Sequence, residues 1–132
     1  MDGKLVVVRF VNGVLRKGLS LDVNAQSPRC HLRTESEGTI EIPLRDLKAL
    51  FFVKTLEGRP EYQETKTPVP GDPRLVGTKQ VRVRFSDGEE LVGLMNRFPP
   101  NTSFFFVLPI DPESNNIRVL ANRAFVDEMG EL

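Results

Sequence analysis

Two stretches decide how this chain is read. The first is Val6-Val-Val-Arg-Phe-Val-Asn-Gly-Val-Leu-Arg-Lys-Gly-Leu19 and the second is Val81-Arg-Val-Arg-Phe-Ser-Asp-Gly-Glu-Glu-Leu-Val-Gly-Leu94. They lie 75 residues apart and share seven of fourteen positions: Val6/Val81, Val8/Val83, Arg9/Arg84, Phe10/Phe85, Gly13/Gly88, Gly18/Gly93 and Leu19/Leu94. Val6, Val8 and Phe10 alternate along the chain, as do Val81, Val83 and Phe85. Period two turns one face of a strand inward. Asn12-Gly13 and Asp87-Gly88 tolerate positive φ and are strong hairpin signals. Gly18 and Gly93 then fall inside the return strand, where glycine marks a bend or bulge. Self-similarity at a fixed spacing is the mark of a duplicated unit.

The rest of each half follows one plan. A polar loop at 22–28 or 97–103 leads to an apolar strand at 30–33 or 104–108. A second loop at 35–38 or 111–116 leads to a strand at 40–42 or 117–119. A short turn and a last strand close each half. Five short strands with a tight turn before the last predict an all-β protein of two tandem SH3-like (Sm-like) small barrels, related by internal duplication. The expected boundaries are 1–54 for the first barrel, 55–78 for a Pro/Gly-rich linker and 79–132 for the second barrel. Gly58, Pro60, Pro68, Pro70, Gly71, Pro73 and Gly77 give the linker its character and predict disorder through part of 63–75. Tyr62 is expected to pin it against a barrel.

Composition agrees with strands. Fifteen Val and nine Phe stand against four Ala. A chain of 132 residues can bury a core without staples. Eighteen basic and eighteen acidic side chains give a net charge of zero, +2 in residues 1–66 and −2 in 67–132. That balance argues against a partner held by bulk charge, whether nucleic acid or an anionic membrane. Cys30 is the lone cysteine, so no internal disulfide forms. No signal-peptide pattern opens the sequence, and no apolar run approaches the length of a membrane helix. The expected compartment is the cytoplasm.

Two apolar runs matter most for packing: Leu50-Phe51-Phe52-Val53 and Phe104-Phe105-Phe106-Val107-Leu108. A strand wet on one side alternates, whereas a continuous run buries both faces. Phe51, Phe52, Phe104, Phe105 and Phe106 are therefore the candidate interface, between the two barrels or between chains. A protein partner is expected, and a homo-oligomer is one form it can take.

Few residues invite chemistry. His31 adjoins Cys30, but neighbours on a strand point to opposite faces, so the two side chains do not meet. One His and one Cys do not make a zinc site. Gly71-Asp-Pro-Arg-Leu-Val-Gly-Thr-Lys79 has five residues between its glycines and the order Thr-Lys, unlike a phosphate loop. Asp111, Glu113, Asn115 and Asn116 lack the spacing of a calcium loop. Arg9, Arg82 and Arg84 sit opposite the Val/Phe face and read as a solvated stripe with ion pairs. No catalytic, cofactor or metal residues are expected.

The segment Val6 to Val53, ending in Pro43-Leu-Arg-Asp-Leu-Lys-Ala-Leu-Phe-Phe-Val53, resembles a family of uncharacterised bacterial domains of small β-barrel type. The resemblance extends over nearly the whole chain and implies a bacterial origin and a place in signalling chains, sometimes beside PilZ domains. The paired-Arg motif and Asp/Asn-x-Ser-x-x-Gly segment by which PilZ domains hold cyclic dinucleotides have no counterpart here. Val83-Arg-Phe-Ser-Asp-Gly-Glu-Glu-Leu-Val-Gly-Leu94 is also similar to the first motif of Sm-like proteins, which implies RNA binding with Asn101 in the first loop. The late Arg-Gly pair of those proteins is absent from this chain. The expected function is a non-enzymatic protein-binding or regulatory module of bacterial signalling, with Sm-like RNA binding as the alternative.

Overall fold

The alternation at 6–10 and 81–85 becomes the inner face of two strands. The computed structural model describes residues 3–132. It contains β1 (Lys4–Phe10), β2 (Leu15–Ser20), β3 (Arg29–Thr34), β4 (Gly38–Pro43), β5 (Leu47–Val53), β6 (Lys79–Phe85), β7 (Glu90–Met95), β8 (Phe104–Pro109), β9 (Asn116–Asn122) and β10 (Val126–Glu131). Short 3-10 turns stand at Leu44–Asp46, Pro73–Leu75 and Arg123–Phe125, and no α-helix occurs among the described residues. No helix is long and apolar enough to cross a membrane.

The strands form one antiparallel sheet in the order β10-β6-β7-β8-β9-β5-β1-β2-β3-β4. This corrects the expectation of two separate closed barrels. β5 pairs with β1 on one side and with β9 on the other, in the register Ala49↔Ala121, Leu50↔Leu120, Phe51↔Val119 and Phe52↔Arg118. A strand apolar on both faces can carry a ladder on each edge and a core on each face. The sheet is therefore continuous through the seam and open at β4 and β10.

Within each half the pairing recurs in detail. β1 meets β5 at Val6↔Phe52, Val8↔Leu50 and Phe10↔Leu47, with Lys48 bulged out. β6 meets β10 at Val81↔Glu131, Val83↔Met129 and Phe85↔Val126, with Asp127 bulged out. Both hairpins close alike: the Gly13 N–H donates to Phe10 O (2.9 Å) and the Gly88 N–H to Phe85 O (2.8 Å), each glycine at φ +91°. That left-handed geometry suits glycine. At the corner glycines the space is closed: a Cβ on Gly18 would strike the Arg33 carbonyl, and one on Gly93 the Leu108 carbonyl.

Two cores result. Val6, Val8, Leu32, Ile42, Leu50 and Phe52 lie in the first, joined by Leu120 from the other half. Val81, Val83, Phe85, Phe105, Val107 and Val119 lie in the second, joined by Ala49 from the first half. The two halves thus exchange side chains across the seam.

The expected disorder at 63–75 is not found; this segment follows one path along the second half. The Tyr62 hydroxyl donates to Asp111 Oδ2 (2.7 Å), as does the Thr65 N–H (2.9 Å). Arg74 donates to the carbonyls of Pro109 (2.9 Å) and Ile110 (3.1 Å). The buried Asp111 carboxylate and the backbone carbonyls of Pro109 and Ile110 at the end of β8 supply this anchorage, which composition does not reveal.

Candidate binding surface

The five phenylalanines singled out by sequence do not form one exposed patch. Phe52 and Phe105 are buried, in the first and second core respectively. Phe104 and Phe106 pack half-buried on the first core, and Phe51 on the second. The Arg118 guanidinium lies 4.3 Å from the Phe52 ring centre and 4.6 Å from that of Phe106. Cation and ring faces attract in such a stack. Alternate residues of β5 and β8 thus serve opposite cores; Phe51 also lines hollows on one side of the sheet, and Phe104, Phe105 and Phe106 line another beside the β7–β8 loop.

Cys30 and His31 separate as period two requires. Cys30 is buried, and burial, with the Asp22 carboxylate nearby, pushes its thiol up to about 11, against a hydrogen bond with Ser20. Such a thiol is a poor nucleophile. His31 is exposed, its Nδ1 2.6 Å from Asp22 Oδ2 and its Nε2 3.7 Å from Glu41 Oε1. Burial pushes the Asp22 carboxyl up, but the bonds from the His31 N–H, its ring and Ser20 outweigh this and leave it below the usual range. The Ser20 hydroxyl donates to the His31 carbonyl (2.7 Å) and not to the imidazole.

The remaining sequence candidates are tied into the scaffold. In the glycine-flanked stretch 71–79, Asp72 caps a 3-10 turn and accepts from the N–H of Arg74 and from its guanidinium. Asp111 is buried; burial pushes its carboxyl up, but the bonds from Tyr62, Thr65 and Glu113 hold it below the usual range. Arg84 pairs with Asp127 (3.4 Å) and Glu128 (3.1 Å), which neutralises part of the basic stripe. Asn101 is exposed in the β7–β8 loop. No three side chains converge as a metal site among the described residues.

Sequence reading missed Lys48. It is only 1% exposed, in an apolar run, and its Nζ lies 2.6 Å from Asp87 Oδ2 and against Glu89 Oε1. Both acids belong to the β6–β7 turn, so the cluster bridges the halves. The carboxylates sit 39% and 53% exposed. A lysine inside an apolar strand was the available signal; its partners, 39 and 41 residues away, were not visible.

A large surface hollow was also missed. β2 and β3 share register only at Leu19↔Arg33, and beyond that point they diverge. The gap is a trough of about 730 Å³ floored by Leu5, Leu15, Leu19 and Leu56, with Lys17, Arg33, Glu35 and Glu57 at its rim. Lys17 Nζ donates to Leu56 O (2.9 Å), and Arg16 pairs with Glu37 (3.4 Å). Past Leu15 and Lys17 the trough opens into a second hollow floored by Val7, Arg9 and Phe51. The Nε of Arg9 is buried without a hydrogen-bond partner.

The matching surface of the other half is partly covered, with Glu90, Leu91 and Val92 lining a smaller hollow of about 280 Å³. By strand register, Leu91, Val92, Pro109, Ile110 and Asp111 correspond to Arg16, Lys17, Thr34, Glu35 and Ser36. On that side Tyr62, Thr65 and Arg74 bind Asp111, Pro109 and Ile110. A piece of the chain itself therefore lies over part of the second half where the first half is open. The sequence signal was a difference between the repeats: Leu15 stands where the second copy has Glu90.

Residues 2–132 match the model of a family described as a family of unknown function (DUF6982). No curated protein and no solved structure matches the chain.

Proposed function

The chain belongs to the DUF6982 family of unknown function, and on that footing we propose that it is a non-enzymatic protein-binding module made of two tandem SH3-like units. Support for the tandem units comes from the recurring strand order, the shared bulge and the matched turn bonds. The binding reading rests on one observation above all. The second unit carries a segment of its own chain over part of the surface that stays open in the first. The open trough therefore takes an extended polypeptide from a partner.

The chemistry of such a ligand follows from the lining. Apolar side chains would cover Leu15, Leu19 and Leu56, and donors would meet Glu35 and the nearby turn carbonyls, as Arg74 does on the other unit. Pockets of this kind join an apolar floor to a few polar groups that fix orientation. Charges of both signs at the rim suit a peptide better than a polyanion. A regulatory role in bacterial signalling is the setting that the family resemblance implies.

A random linear-peptide display library, selected on the immobilised full chain, tests this. Selected peptides are expected to bind the Leu15→Glu chain about tenfold or more weakly, and the Leu21→Glu chain unchanged. Leu15 and Leu21 are both exposed (39% and 65%), so both variants fold. Peptides indifferent to Leu15→Glu would overturn the trough. Tight, steeply salt-dependent binding of single-stranded RNA would establish the RNA-binding alternative instead.

A further inference from the structure

We infer that the two outer edges of the sheet are polar counterparts of its own seam, and that they hold the chain at two units. The inference rests on the tandem-unit reading and is independent of the trough. At the seam, Ala49 and Phe51 of β5 enter the second core, while Phe104, Phe106 and Leu120 pack on the first. The seam is head to tail: the last strand of one unit meets the fourth strand of the other. One end of the sheet therefore presents the outer edge of a fourth strand, β4, and the other that of a last strand, β10.

Strand register identifies the residues that stand at the matching places. Cys30↔Ile42 and Leu32↔Ile40 correspond to Phe105↔Ala121 and Val107↔Val119. Arg29, His31 and Glu41 thus replace Phe104, Phe106 and Leu120, and all three are exposed. They are linked to one another and to Asp22: Arg29–Glu41 at 3.2 Å, His31–Asp22 at 2.6 Å and His31–Glu41 at 3.7 Å. On β10, Glu128, Gly130 and Glu131 replace Ala49, Phe51 and Phe52.

A further copy added in the geometry of the seam would set β10 against β4. It would set Glu128 opposite Ile42, Met129 opposite Glu41 and Glu131 diagonal to Glu41, and bury the Arg29–His31–Glu41 network, with no apolar side chain exchanged. Desolvating those charges opposes the join. An unpaired strand edge is otherwise a template for pairing, and a head-to-tail contact that does not close grows into an open array. Polar outer faces at the ends of repeat arrays prevent this. The Phe-rich runs are consumed inside one chain.

Full-length variants read by light scattering test the inference. The first converts β3 and β4 (Arg29→Phe, His31→Phe, Glu41→Leu) and the second converts β10 (Glu128→Ala, Gly130→Phe, Glu131→Phe). A Cβ at Gly130 meets nothing within 4 Å, and its φ is not positive. The native chain is expected at the mass of one copy, the equimolar mixture of variants at twice that mass, and a chain carrying both sets as larger arrays. A native chain that is already multimeric overturns the inference, as does a folded mixture that stays at the mass of one copy. Self-association of the first variant alone overturns the register equivalence beneath it, and so strikes the tandem-unit reading. Should a triple variant fail to fold, Glu41→Leu mixed with Glu128→Ala, both at exposed positions, is expected to raise the average mass at high concentration. An unchanged average overturns the inference.

Discussion

Phe105→Glu is expected to leave the chain largely unfolded at room temperature. Phe105 is 4% exposed and stands in the second core beside Val81, Val83 and Phe85. Truncating a buried phenylalanine costs about 3–5 kcal/mol. An unpaired carboxylate at the same place adds the cost of desolvating or protonating it. The sum rivals the whole stability of a small domain, about 5–15 kcal/mol. Phe104, one residue earlier, is half-buried on the opposite face, so Phe104→Glu is expected to cost clearly less. Urea melts of the two variants check this, and equal effects would contradict the division of β8 between two cores.

The second large effect concerns Lys48. Replacing both Asp87 and Glu89 with Ala leaves a lysine that is 1% exposed without its counter-charges. Breaking a buried ion cluster from one side costs about 3–5 kcal/mol. Lys48→Met removes the buried charge instead and leaves the two acids half in water. Burial of an apolar side chain of similar volume is then close to neutral. The asymmetry is the expected result, measured as midpoint shifts in urea. Equal losses from both changes would show that the cluster is held by packing and not by its charges.

The strands were readable because their signals are local. The Asn12-Gly13 and Asp87-Gly88 turns, the alternating valines and the corner glycines each depend on neighbours a few residues away. The open sheet was not readable from those signals. That β5 carries a second ladder follows from the apolar run Leu50 to Val53, but the run does not name β9 as the partner. Comparing the repeats gives more. Cys30-His31-Leu32 alternates where Phe105-Phe106-Val107 does not, so the third strand of the first unit has one wet face and that of the second has none. The order of the linker depends on Asp111, 46 to 49 residues from the groups it holds, and proline and glycine content says nothing of that. The trough was hidden because it arises from the divergence of two strands and not from a motif.

The central claim is that the two units are sealed into one sheet by β5 and β9. Native-state hydrogen exchange along these strands tests it most directly, because amides in a shared core open only with the whole fold, whereas edges open locally. The amides engaged between Ala49–Phe52 and Arg118–Ala121 are expected to exchange with the same opening free energy as those at the centres of β1 and β6, and those of β4 and β10 faster. Seam amides that exchange as fast as the edges, or halves that open at separate free energies, would contradict it.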